Sequence, residues 1–134
     1  MANIDEMVVS FPGGKRVDAT YGEFTVATDQ SVEGGGKGSA PEPFGLFLAS
    51  LATCAGIYVL GFCQKRGIPT DGIRVVQRLE RDDEQKIETV AISIEVPPDF
   101  PEKYHPALER VAAKCAVKKM MESPPAFKIE TVVS

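Results

Sequence analysis

Phe44 to Cys63 reads FGLFLASLATCAGIYVLGFC, twenty residues without a charge. As one helix, that length would span a bilayer. Gly45, Ser50, Thr53, Gly56 and Gly61 dilute the run, and the segments on either side read as ordinary water-exposed α+β structure. A helix that is apolar all round is equally the central helix of a packed core or a subunit interface. The flanking pattern favours a buried central helix and no membrane. Pro43 suits its first turn, where the missing N–H would have no partner anyway. Its end is expected near Gly67, after the cationic pair Lys65 and Arg66 that complements the C-terminal dipole.

Upstream, Met7 to Phe11, Arg16 to Thr20 and Glu23 to Thr28 are short β-branched or aromatic stretches, with Pro12-Gly13-Gly14 and Tyr21-Gly22 as turns. Glu33 to Ser39 (EGGGKGS) then invites comparison with a phosphate cradle. The match fails, because Ser31 stands where the first P-loop glycine belongs and Gly38 where Ser or Thr should follow the lysine. A flexible surface loop is the expectation. The opening residues are acidic and lack the basic start and apolar centre of a secretion signal.

Downstream of Pro69-Thr70-Asp71-Gly72, alternation places Ile73, Val75, Gln77 and Leu79 on one strand face. Across the polar turn Asp82 to Gln85, Val90, Ile92, Ile94 and Val96 form the matching face, so the two runs read as an antiparallel hairpin. A second helix is expected from about Pro106 to Glu122. Leu108, Val111, Ala112 and Cys115 fall at i, i+3, i+4 and i+7 as its buried stripe. Lys114, Lys118, Lys119 and Lys128 read as solvated cations. Phe127 to Val133 alternates as a last strand. The order βββ-α-ββ-α-β is that of an α+β domain, two helices against antiparallel strands, in one domain covering residues 1–134.

Composition narrows the function. With 15 Lys+Arg against 19 Asp+Glu the chain carries a formal charge of −4, which argues against a nucleic-acid binder. One histidine excludes a His-rich metal site, and neither metal nor cofactor is expected. The cysteines, Cys54, Cys63 and Cys115, are too few for a secreted disulfide scaffold and fit a reduced, cytoplasmic protein. Each alone reads most simply as a small buried apolar residue. Cys54 and Cys63 should face different directions on their helix, and no CxxC motif is present.

Gly38-Ser39-Ala40-Pro41-Glu42-Pro43, followed by Leu46 to Cys54 (LFLASLATC), resembles the first cysteine motif of the OsmC/Ohr family, the osmotically inducible and organic hydroperoxide resistance proteins. Ala112-Ala113-Lys114-Cys115-Ala116-Val117 resembles the second, except that the family usually has proline where this chain has Ala116. The resemblance implies an OsmC-like, intertwined homodimer acting as a thiol-dependent hydroperoxide reductase in oxidative stress defence. Cys54 would be the peroxidatic cysteine, Cys115 the resolving one, and a cellular dithiol the reductant.

Peroxidases of the family carry a glutamate nine or ten residues before the first cysteine, where it helps to position an arginine. Here those places hold Gly45 and Phe44, and Glu42 is the nearby acid. Arg16 is the natural candidate for the arginine, with a surface strand cation as its other reading. Cys63 is left to packing, and His105 to the surface. The alternative function is a non-catalytic member of the same fold that binds a small hydrophobic ligand around Cys54 or senses oxidants.

Overall fold

The computed structural model describes residues 3–133, and the chain divides into two compact units, residues 1–49 and 50–134. In the first, β1 (Val8–Gly13), β2 (Arg16–Tyr21) and β3 (Phe24–Thr28) form an antiparallel meander in the order β1-β2-β3. Its register sets Val9 opposite Ala19 and Ala19 opposite Val26.

The glycine-rich segment after β3 is exposed but folded around one carboxylate. Asp29 is 1% exposed. It accepts hydrogen bonds from the N–H of Gln30 (2.7 Å), Lys37 (3.4 Å) and Ser39 (3.0 Å) and from the Ser39 hydroxyl (2.6 Å). These donors, led by the Ser39 hydroxyl, hold its carboxyl down at about 2. Gly36 turns so close to this centre that a Cβ there would collide with the Gln30 carbonyl oxygen. The segment is therefore pinned, where composition alone suggested slack.

Helix α1 (Pro43–Lys65) carries the chain into the second unit. Glu42 is its cap residue: the Leu46 N–H donates to the Glu42 carbonyl (3.2 Å), with Pro43 in the first helical place. At the other end Ile68 N–H reaches back to the Cys63 carbonyl (2.9 Å) and Gly67 N–H to that of Gln64 (3.3 Å). Gly67 takes φ +63°. This is the Schellman ending that glycine permits.

Within the second unit α1 buries one stripe, Leu51, Ala55, Val59, Phe62 and Cys63. The helix is apolar and long enough to cross a membrane by length and composition, yet Val59, Phe62 and Cys63 of this stripe form a core cluster with Phe100 and Leu108. Fully burying side chains such as Val59 and Phe62 contributes about 1.5–3 kcal/mol each. Phe44 and Ile57, off the stripe, stay exposed, so the expected all-round burial of the helix is not met by one chain.

The hairpin forms as expected from β4 (Arg74–Arg81) and β5 (Ile87–Glu95). Val75 pairs with Ile94, Gln77 with Ile92 and Leu79 with Val90, so the two alternating faces coincide. Val75, Ile94 and Val96 pack against the core. The turn closes on Asp82, whose carboxylate accepts the N–H groups of Glu84 (2.8 Å) and Lys86 (2.9 Å).

Two expectations for the C-terminal third fail. The second helix is not continuous: a 3₁₀ turn (Glu102–Tyr104) leads into α2 (His105–Ala112), the helix breaks, and α3 (Ala116–Glu122) follows. Leu108 and Cys115 are buried as the stripe required, but Cys115 stands in extended conformation (φ −47°, ψ 122°) as the cap of α3. The last strand is also absent among the described residues, and residues 124–133 have no regular structure. Phe127, Ile129 and Val133 are largely exposed. A strand needs a neighbouring edge for its backbone groups, and the chain provides none there.

Candidate active site

The break between α2 and α3 builds the site. In a continuous helix the N–H groups of residues 116–118 would bond to carbonyls one turn earlier. Freed by the break, they turn to sulfur. The Lys118 N–H donates to the Cys115 Sγ (3.4 Å), while those of Val117 and Ala116 donate to the thiol of Cys54 on α1. The regular ladder resumes with Lys119 N–H to the Cys115 carbonyl (3.0 Å).

Cys54 and Cys115 are consequently brought within side-chain hydrogen-bonding reach of each other. Cys115 also lies 3.8 Å from the Leu51 carbonyl, one turn before Cys54. The pair is asymmetric. The Val117 N–H, aided by the Cys115 side chain and the Ala116 N–H, pulls the Cys54 thiol below its ordinary range against the opposing effect of burial. Burial pushes the Cys115 thiol up. Cys54 is half-buried and Cys115 buried, and both are free thiols. The more accessible sulfur is therefore the better thiolate, as a nucleophile requires.

Beside Cys115, a cavity of about 540 Å³ opens against β5 and α2, lined by Leu51, Ile92, Ile94, Leu108, Met121 and Cys115 among others, with Cys54 outside its lining. Its walls are mostly hydrocarbon, and Glu109, Lys118 and Glu122 also line it. His105 lines it too, half-buried and stacked on Phe100 at 5.9 Å between ring centroids. Among the described residues no group of His, Cys, Asp and Glu could hold a metal ion.

The remaining predicted site residues belong to the first unit. Arg16, on β2, donates to both carboxylate oxygens of Asp18 (3.3 and 3.1 Å). Glu42 caps α1 through its backbone. No ion pair between the two is present among the described residues. Cys63 is fully buried in the core, its thiol pushed up by burial despite the nearby Arg66 charge. Sequence reasoning missed the backbone donors of Ala116 and Val117, since alanine, lysine and valine around Cys115 carry no break signal. Asp29, pinning the segment before α1, was missed as well.

The family model for OsmC-like protein matches residues 36–130. The chain belongs to the OsmC-like family. Among solved structures, it is similar to a protein from Psychrobacter arcticus named for osmotic stress induction and a detoxification response. That match has 24% identity and a TM-score of 0.68, covering 84% of this chain and 85% of the other. It is also similar to an organic hydroperoxide resistance protein OsmC from Legionella pneumophila, at 16% identity and a TM-score of 0.53, covering 89% and 90%. At these identities the likeness is one of fold. No curated protein matches the sequence. Against the usual OsmC-like pattern, Ala116 is the informative departure: a proline there would have no N–H to offer Cys54.

Proposed function

We propose that this OsmC-like protein is a cysteine-based peroxidase that reduces organic hydroperoxides or H₂O₂ in oxidative stress defence. The observation that carries this reading is the meeting of Cys54 with Cys115 and the freed N–H groups of α3. The Cys54 thiolate attacks the outer oxygen of the hydroperoxide. An S–O bond forms, the O–O bond breaks, and the departing alkoxide takes a proton to leave as the alcohol. Cys115 then attacks the sulfenic sulfur, forming the disulfide and releasing water. A cellular dithiol returns both thiols by exchange. The apolar cavity beside Cys115 suits the hydrocarbon of an organic hydroperoxide.

Arg16 and Glu42 are the candidates for guiding the peroxide. The protein works as a homodimer in a reducing compartment such as the cytoplasm. The exposed apolar segment 126–133 and the exposed Ile57 of α1 support a second copy as partner.

A second reading, ligand binding or oxidant sensing without turnover, rests on the Arg16 guanidinium engaging Asp18 rather than Glu42. One equivalent of organic hydroperoxide added to reduced protein separates them. Rapid Cys54–Cys115 disulfide by mass spectrometry, with peroxide loss abolished in Cys54→Ser, is the expected result. Unchanged free thiols would sink the peroxidase.

A further inference from the structure

The proposed peroxide chemistry uses Cys54 and Cys115 in turn, but their placement also lets both sulfurs act on one atom. Cys54 comes from α1 and Cys115 from the cap of α3, and the two stand within side-chain hydrogen-bonding reach. Cys115 Sγ lies 3.8 Å from the carbonyl of Leu51, one turn before Cys54. Both are free thiols.

A third sulfur is out of reach. Cys63 stands nine residues after Cys54 on α1, about 13 Å along the helix axis. It is sealed in the core with Val59, Phe62, Phe100 and Leu108. Among the described residues, no set of three or more His, Cys, Asp and Glu gathers to complete a larger donor set. That excludes centres needing three or four donors, such as zinc. The pair instead matches a soft electrophile with two open valences. The cavity of about 540 Å³ is lined by Cys115 itself with Leu51, Leu108, Ala112 and Met121. A hydrocarbon group on the captured atom therefore has an apolar place to lie.

We infer that Cys54 and Cys115 form a two-thiol clamp for monosubstituted trivalent arsenicals, R–As(OH)₂ with an apolar R. Two As–S bonds form, two As–O bonds break, and each thiol proton leaves in a water. Arsenic stays trivalent, nothing is oxidised or reduced, and no co-reactant is needed. Soft sulfur is preferred over Glu109 and Glu122, the carboxylates of the cavity wall. Once one As–S bond exists, the second thiol attacks at high effective concentration, which is the source of tight capture. Inorganic arsenous acid has three open valences, so the clamp satisfies it incompletely and it brings no hydrocarbon to the cavity.

Phenylarsine oxide, which hydrates to R–As(OH)₂, is the probe, added to the reduced full chain in the assembly it forms. Native mass spectrometry should show one adduct per chain, with Cys54 and Cys115 protected from alkylation. Competition with 2,3-dimercaptopropanol gives the affinity. Cys54→Ser and Cys115→Ser should each weaken capture by about a hundredfold or more, with circular dichroism unchanged. Cys63→Ala should stay within about twofold, and inorganic arsenite should bind at least about tenfold more weakly than the aryl compound. Absence of an adduct overturns the inference, as does undiminished capture by Cys115→Ser or equal affinity for arsenite. The clamp does not rest on the peroxide reading, because no O–O bond is involved. Capture without hydroperoxide consumption would remove the peroxidase alone, and consumption without capture would remove the clamp alone.

Discussion

Cys63 is fully buried among Val59, Phe62, Phe100 and Leu108, whereas Cys54, about two and a half turns earlier on the same helix, is half-buried against the start of α3. Burial raises both thiols, but only Cys54 has backbone N–H donors that outweigh it. Arg66 bears on Cys63 as a charge without reversing the effect of burial. The lesson is that a helix break elsewhere in the chain, rather than the local sequence around either cysteine, divides a packing residue from a candidate nucleophile. Oriented N–H groups aimed at sulfur favour the thiolate more than a cation that does not reach it.

The sharpest way to break this contrast is to exchange the fates of the two sulfurs. Cys54→Ser should lower hydroperoxide consumption, followed with a dithiol reductant, by about a thousandfold or more, because a hydroxyl is a far poorer nucleophile. Cys63→Ser should leave that rate within about twofold. Cys115→Ser should stop disulfide formation and leave a sulfenic acid on Cys54, detectable by dimedone adduct mass. Its turnover should fall by about tenfold or more, for want of a partner thiol.

Cys63→Ser should instead appear in stability. A hydroxyl placed in an apolar core without a partner costs about 1–3 kcal/mol, read as a lower denaturant midpoint. The alkylation profile of the folded protein adds a sign. Because the Cys54 thiol is lowered, its reaction with iodoacetamide should rise at lower pH than an ordinary thiol, while Cys63 stays unreactive until the chain unfolds. The smallest effect is expected from Ala116→Pro. Proline is tolerated at the first position of a helix, so the fold should survive while one donor to Cys54 disappears. Alkylation at fixed neutral pH should then slow by roughly a few-fold. No change would remove the Ala116 N–H from the account.

Much of the architecture could be read directly. The alternation of Val75, Gln77 and Leu79 against Val90, Ile92 and Ile94 fixed the hairpin faces, because a one-residue slip would expose the whole set. Pro43 and Gly67 marked the ends of α1 because each has a specific backbone use there. The break before Cys115 was not legible: Ala112, Ala113 and Lys114 are good helix formers, and the interruption is imposed by what Cys115 meets on α1. For the site, the two motifs pointed to Cys54 and Cys115 as candidates, but the backbone donors have no residue type to announce them. Phe127 to Val133 showed strand alternation correctly as a pattern, yet a pattern cannot supply the edge with which a strand must pair.

That C-terminal segment has a thermodynamic consequence. If residues 126–133 complete their hydrogen bonding on another copy of the chain, the folded state is populated by mass action, and dilution itself becomes a denaturant. Thermal midpoints would then climb with protein concentration.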